Sequence, residues 1–331
     1  MAPRISVIVD NYNYGRFLGQ ALDSVLAQDH SDWECVVVDD GSTDESRSVI
    51  ERFSPRVRGI FQKNSGYAAA FNRGISETTG DIVCFLDADD VWRKDKLSRI
   101  AARFESEPDL GGIQHLLQDA DTNLISMKQD FPAWPLRYTL DDFLAGKVVL
   151  GATSGVSLRR CILNKALPIP TEFRFLYADN YLLVRSLFFA PLGNISESLG
   201  YHRVHGSNFC AGTYADPRKL GADMTMGAVY ETHLRSWLRE RGASLSPEHE
   251  RVEGLERMRR EVLWHSLEHR RGEAAAALWR GARRHGFSRF GLFRVATCAI
   301  AVISPSAYLS LYESYAGSSG LRTLRHGMAR A

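Results

Sequence analysis

Asp87, Asp89 and Asp90 fall within four positions, directly after the apolar run "CFL". Carboxylates this close repel one another, and a divalent cation offsets that repulsion. Hard oxygen ligands suit Mg²⁺ or Mn²⁺, ions that keep several waters and take one or two protein carboxylates together with phosphate oxygens. The element Asp87-Ala88-Asp89 therefore fits a metal-bound diphosphate, the alternative being three solvated turn aspartates. A second acidic pair, Asp39 and Asp40, ends the run "VVVDD" before a glycine turn. There a carboxylate can accept from a nucleobase imide or a ribose hydroxyl, or it can simply cap the turn. The stretch "QKNSGYAAAFNRG" sets Asn64 and Gly66 before small alanines that permit close approach to a sheet or a ligand, with Asn72 and Arg73 as polar residues for a crevice. In "YHRVHGSN", which reads as a loop, His202, Arg203 and His205 cluster, and His205 is a candidate third metal ligand or phosphate donor. His265 and His269 stand four apart on an expected helix without a metalloprotease pattern and read as surface residues. The chain contains no Walker A loop and no G-x-G-x-x-G.

These side chains need a frame. Short β-branched runs at 5–9, 35–40, 57–62 and 81–87 read as strands. Between the first two, Phe17, Leu18, Ala21, Leu22, Val25 and Leu26 recur on one helix face. Ser42 followed three residues later by Glu45 is the capping-box signature of a helix start. "ADNYLLVRSLFF" reads as a further helix, while "FPAWP" and "LPIP" mark loops. Strands alternating with helices predict an α/β fold with a mainly parallel sheet flanked by helices, ligands binding beyond the strands' carboxyl ends. Both acidic runs lie at such ends.

The chain of 331 residues is long enough for one large domain with an appended part. A net charge of +2 is too mild for a nucleic-acid partner. The five scattered cysteines, Cys35, Cys84, Cys161, Cys210 and Cys298, read as thiols of a reducing compartment. Met1 leads directly into "ISVIV" with no secretory signal, so a cytoplasmic location is expected.

Taken in order, "SVIVDNYNYGRFLGQALDSVLAQ", "VVVDDGSTD", "QKNSGYAAAFNRG" and "IVCFLDADDVWRKDKL" resemble consecutive blocks of the family 2 glycosyltransferases. The likeness continues more loosely through "TSGVSLRR", "ADNYLLVRSL" and "YHRVHGSN", over about residues 4 to 210. It implies a GT-A fold, a nucleotide-diphosphate sugar donor, a divalent metal, and transfer with inversion to the hydroxyl of a saccharide, lipid-linked or other acceptor in cell-surface polysaccharide or glycoconjugate synthesis. Carried onto this sequence, Tyr12 and Asp40 would hold the nucleoside with Asp39 in support, and Asp87 and Asp89 would be the Asp-x-Asp pair with Asp89 the direct metal contact. Asp179 would be the catalytic base, in its ionised form at a helix start. Asp10-Asn11 stand where many members have Pro-Thr or Pro-Asn, and Ala178 stands before Asp179 where many have Glu. No Gln-x-x-Arg-Trp motif follows Asp179, which favours transfer of a single residue over processive synthesis.

The expected division is a catalytic domain at 1–215, with a nucleotide-sugar half at 1–110 and an acceptor half at 111–215, then a helical region at 216–331. Within that region 290–303 is too short for a bilayer span and carries Arg294 centrally. An interfacial helix is expected, with Phe290, Leu292 and Phe293 inserting beside Arg280, Arg283, Arg284 and Arg289. Packing on the catalytic domain or on a second subunit is the alternative. Two competing functions remain at this stage: a nucleotide-sugar-binding module without catalysis, and a haloacid-dehalogenase-like phosphatase, which "FLDADDV" also satisfies.

Overall fold

The computed structural model describes residues 3–129, 131, 133–206, 208, 214–285 and 288–316, with side chains to 312; Cys210 lies outside them. These residues form two compact units, one of 1–143 with 148–205 and one of 144–147 with 206–331.

In the first unit the chain order is β1 (Ile5–Asn11), α1 (Gly15–Leu26), β2 (Trp33–Asp39), α2 (Ser46–Arg52), β3 (Arg58–Phe61), α3 (Tyr67–Ser76), β4 (Ile82–Asp87), β5 (Val91–Trp92) and α4 (Lys96–Ser106). It continues through β6 (Gly112–Ala120), β7 (Arg137–Tyr138), α5 (Leu140–Leu144), β8 (Val156–Arg159), α6 (Arg160–Ala166), α7 (Ala178–Leu187) and β9 (Leu192–Arg203). The sheet runs β3-β2-β1-β4-β8-β6-β9-β5, with β7 also on β9. β3, β2, β1 and β4 are mutually parallel, as are β6 and β9, while β8 enters antiparallel between β4 and β6. Val7, Val9, Val37, Cys84 and Leu86 are buried in the sheet's main core with Leu18, Leu22 and Val25 of α1, as the α1 periodicity predicts.

Three expectations need correction. The helix after β2 starts at Ser46, with Glu45 as its N-cap and no capping side chain. Ser42 is taken instead by the loop after β1, where its hydroxyl accepts from Asn13 N at 2.9 Å and Asn11 Nδ2 at 3.1 Å. Tertiary partners thus outbid the local capping box. His202 and Arg203 lie in the twelve-residue strand β9, not in a loop. His265 is buried, with Nδ1 3.0 Å from Glu273 Oε2.

The second unit holds α8 (Pro217–Glu240), α9 (Pro247–Leu267), α10 (Arg271–His285), α11 (Arg289–Ile303) and α12 (Pro305–Ala316). Leu255, Met258 and Val262 of α9 pack with Ala277, Phe290, Cys298 and Tyr308. Arg294 points into this bundle and pairs with Glu256, which also binds the buried Arg259 at 2.8 Å. Phe290 is core and Phe293 half-buried, so of the three residues expected to insert only Leu292 is exposed. Arg280 is engaged by Glu261 at 2.6 Å. Among the described residues no helix is long and apolar enough to cross a membrane.

Candidate active site

The parallel register sets Asp10 at the end of β1 opposite Asp87 at the end of β4, and Asn11 opposite Asp39 of β2. Acidic side chains therefore converge at one edge of the sheet. Burial, then the field of Asp89, pushes the Asp10 carboxyl up to about 8. Burial and the adjacent Asp10 hold Asp87 well above the ordinary carboxylate range, and burial followed by Asp89 raises Asp90 to about 7. Asp10 Oδ1 and Asp90 Oδ2 are buried without a hydrogen-bond partner among the described residues. Carboxyls raised in this way favour a nearby cation.

The Asp89-Asp90 turn is held from β9. Arg203, fully buried, donates from Nε to Asp89 O at 2.8 Å and from its backbone N to Asp90 Oδ1 at 3.0 Å. Its guanidinium also reaches Gln20 Oε1 at 2.6 Å and lies 4.6 Å from the Phe17 ring centroid. His205 Nε2 lies 3.0 Å from Asp89 Oδ2, its ring packed between Tyr14 and Phe17. His202 pairs with Asp119 at 2.9 Å, and that hydrogen bond raises the imidazole to about 9, so it is cationic at neutral pH beside the acidic floor.

Among the described residues no three His, Cys, Asp or Glu side chains already form a metal cage. The donor set still fits Mg²⁺ or Mn²⁺. Either ion needs only one or two carboxylates from the protein, and the unpartnered, mutually repelling oxygens of the floor are what a cation relieves.

The acidic pair ending β2 is already employed. Asp39 accepts from Asn11 Nδ2 at 2.8 Å and Ser42 N at 2.9 Å. Asp40 accepts from Gln62 Nε2 at 2.7 Å, Ser65 N at 2.8 Å and Gly66 N at 2.7 Å. Both carboxylates therefore shape the loops around the rim. Asn64 and Tyr12 are exposed there, Tyr12 at 47%. Gly66 has φ 93°, and a Cβ on it would meet Arg174 backbone at 2.9 Å, so glycine is required on two grounds. That close approach lets Arg174 O and Phe173 O accept from Tyr67 N and Ala68 N, at 2.7 and 3.1 Å. The free end of α3 is thus closed by the segment leading to α7.

Two candidates face elsewhere. Asn72 donates to Ile169 O at 2.7 Å and accepts from Ile169 N at 3.0 Å, so its amide clamps that segment and does not face the crevice. Ala88 buries its methyl in the core, leaving only its main chain for a ligand. Spacing placed both near the site, but their side chains point away.

Asp179 sits in the first turn of α7, after Tyr177 in a left-handed conformation. Oδ1 accepts from Asn180 N at 2.8 Å and Oδ2 from Thr153 Oγ1 at 3.0 Å. Thr153 Oγ1 lies 2.7 Å from the hydroxyl of the half-buried Tyr67. Burial raises the Asp179 carboxyl above its ordinary range and outweighs the N–H groups of the helix start, contrary to the expectation of a favoured ionised form. Asp179 contributes to the field on both Asp10 and Asp87.

Sequence reasoning passed over Thr153, Tyr67 and Arg203 as working groups. "TSG" forms a single 3₁₀ turn whose Ser154 hydroxyl also accepts from Asp87 N at 3.0 Å, which ties the turn to the acidic floor.

Residues 6–167 match the profile described as Glycosyl transferase family 2. That segment is a family 2 glycosyltransferase domain. An uncharacterised glycosyltransferase, alr2836 of Nostoc sp. PCC 7120, is 42% identical over 217 residues, 62% of this chain and 66% of the relative. TuaG of Bacillus subtilis, named for a proposed part in teichuronic acid biosynthesis, is 40% identical over 29% of this chain and 40% of its own length. The chain thus spans less than two thirds of the length of these relatives. Among solved structures, Staphylococcus aureus TarS with UDP-GlcNAc aligns at TM-score 0.61 and 20% identity over 94% of this chain and 91% of that one. The mannosyltransferase PcManGT of Pyrobaculum calidifontis, with GDP-Man and Mn²⁺, aligns at 0.56 and 18% over 99% and 85%. These likenesses show a GT-A-like fold. The phosphatase alternative is overturned by the family match, and its motif would belong on a first strand, whereas this Asp-x-Asp ends the fourth.

Proposed function

We propose that this glycosyltransferase moves one sugar, with inversion, from a nucleoside-diphosphate sugar to an acceptor hydroxyl, with Mn²⁺ or Mg²⁺ held at Asp89 and Asp87 with His205 close by. The carrying observation is the hydrogen-bonded Asp179 on the same crevice as the acidic floor. UDP-GlcNAc on TarS, and GDP-Man with Mn²⁺ on PcManGT, support the donor class and the metal. The teichuronic acid biosynthesis in TuaG's name supports a part in cell-surface polysaccharide synthesis; the proposed acceptor is a saccharide, lipid-linked or other hydroxyl. The catalytic domain comprises residues 1–215, its donor half at 1–110 and its acceptor half at 111–215, and it works in the cytoplasm.

The exposed Tyr12 ring offers a stacking surface for the nucleobase. Asp39 and Asp40 keep the rim loops in shape around the nucleoside, with Asn64 and the Gly66 main chain beside it. Asp89 and Asp87 would hold the divalent cation, which would supply neutralisation of the charge on the departing diphosphate. Asp179 takes the acceptor's hydroxyl proton as the new oxygen–carbon bond forms on the face opposite the leaving group and the carbon–phosphate-oxygen bond breaks. Thr153 fixes the direction of that carboxylate. A binding module without catalysis has no use for a carboxylate oriented in this way.

The test is thermal stabilisation and transfer with a panel of UDP-, dTDP- and GDP-sugars and Mn²⁺, followed by NMR of the product's anomeric centre. Stabilisation by one donor class and an inverted product are expected. A retained configuration, or stabilisation by every donor without any transfer, would overturn the reading.

A further inference from the structure

On α11, Leu292 is 63% and Ile303 73% exposed, and Ala296 and Ile300 are exposed between them. At about 100° per residue these four and Arg289 fall within an arc of roughly 80°. The opposite face, with Phe290, Cys298 and Ala301, fills the bundle core. Arg294 does not interrupt the outer stripe, because it turns inward to Glu256. An unbroken apolar stripe on a well-packed helix needs an occupant.

Charge identifies it. From Ala274 to Tyr312 the sequence contains no aspartate or glutamate. Arg283 and Arg284 close α10 and Arg289 opens α11; all three are exposed and form no salt bridge among the described residues, Arg284 lying only in the longer-range field of Glu250. Four apolar side chains on one helix also fall far short of the roughly 20–30 residues per side of a stable protein interface. An apolar stripe headed by unpaired arginines and lacking acidic groups matches a surface that is anionic outside and hydrocarbon beneath. We propose that α11 lies in the headgroup region of an anionic lipid bilayer, with Leu292, Ala296, Ile300 and Ile303 facing the acyl chains and Arg283, Arg284 and Arg289 facing lipid phosphates. This goes beyond the proposed transfer reaction, which needs no bilayer.

The experiment is co-sedimentation of the full chain with vesicles of phosphatidylcholine alone and of phosphatidylcholine mixed with phosphatidylglycerol. Binding is expected to the mixed vesicles and to fall with added salt. Each Arg→Ala change at 283, 284 or 289 should lower the partition coefficient roughly fivefold. The variant Leu292→Ser/Ile300→Ser/Ile303→Ser should no longer sediment with either vesicle, while its thermal midpoint and its transfer to a soluble acceptor stay unchanged. Equal sedimentation of wild type and triple variant overturns the proposal. So does a dimer in light scattering that the triple variant dissociates, which assigns the stripe to a second copy. Loss of transfer in wild type without vesicles would count against the proposed reaction, not against the lipid surface.

Discussion

The Thr153 hydroxyl lies 3.0 Å from Asp179 Oδ2, with the Tyr67 hydroxyl 2.7 Å away on its other side. A hydroxyl has one proton to give. When Asp179 is ionised, Thr153 donates to it and Tyr67 donates to Thr153. Burial and the surrounding aspartates keep Tyr67 a phenol, so its proton stays available to that chain. Thr153→Val removes the carboxylate's side-chain donor and strands the Tyr67 proton. We expect kcat to fall about fivefold, in line with a net hydrogen bond of about 1 kcal/mol, with donor affinity unchanged. Steady-state kinetics with titration calorimetry of the donor check this.

Asp179→Asn keeps the shape and the contact with Thr153 but cannot take a proton. Transfer should slow by about 10²- to 10⁴-fold while donor and Mn²⁺ still stabilise the fold. Near-normal turnover at saturating acceptor would reassign the base.

The same carboxyl sets an acid limb. Its folded pKa is raised by burial, and the base works only when ionised, so kcat rises with pH through that elevated value. Its inflection should lie above the ordinary carboxylate range and shift further up in Thr153→Val, because the lost hydrogen bond favours the ionised form. A pH–kcat profile of both proteins decides it.

Arg203 acts on the acidic turn from behind, through Asp89 O and Asp90 Oδ1. Arg203→Lys retains the charge and the main-chain bond to Asp90 but loses the Nε donor to Asp89 O. The Mn²⁺ concentration giving half-maximal thermal stabilisation should rise about 10- to 100-fold. An unchanged Mn²⁺ midpoint alongside a lowered Tm would mean the arginine serves the fold alone.

Lys96 is fully buried with its Nζ 3.2 Å from the Trp92 ring centroid and no hydrogen-bond acceptor among the described residues. Burial lowers the ammonium from 10.5 to about 8. Between those values the unfolded chain binds more protons than the folded one, so this group makes stability rise with pH in that window. Lys96→Met should remove that slope and stabilise the fold near neutral pH by about 1–3 kcal/mol. Urea denaturation of both proteins below and above the window measures the difference.

The region from β1 to β4 was largely legible because its information is local. β1, β2 and β4 are β-branched runs ending in acids, and α1 carries a clean apolar face that the structure buries. Family blocks extended that legibility to Asp87, Asp89 and Asp179 as neighbours of one crevice. Direction was harder. Ala88 and Asn72 have the right positions and the wrong orientations, since spacing does not report which way a side chain turns at the end of an element. The 3₁₀ turn bearing Thr153 has too few residues for a period, and its partners Tyr67 and Asp179 lie 86 and 26 positions away. Asp44 shows the same effect: Gly15 N, 29 positions away, donates to its carboxylate, a contact no local pattern announces.

The closure of α3 bears on how this protein can change over generations. Gly66, Tyr67 and Asn72 each touch the segment 169–174, and Asn72 does so across 97 positions of sequence. The two stretches therefore behave as a single heritable unit: an insertion near Ile169 would misalign Asp179, and a side chain at position 66 would push Arg174 aside. New acceptor preferences should accumulate outside this tie, where substitutions leave the spacing between floor and base intact.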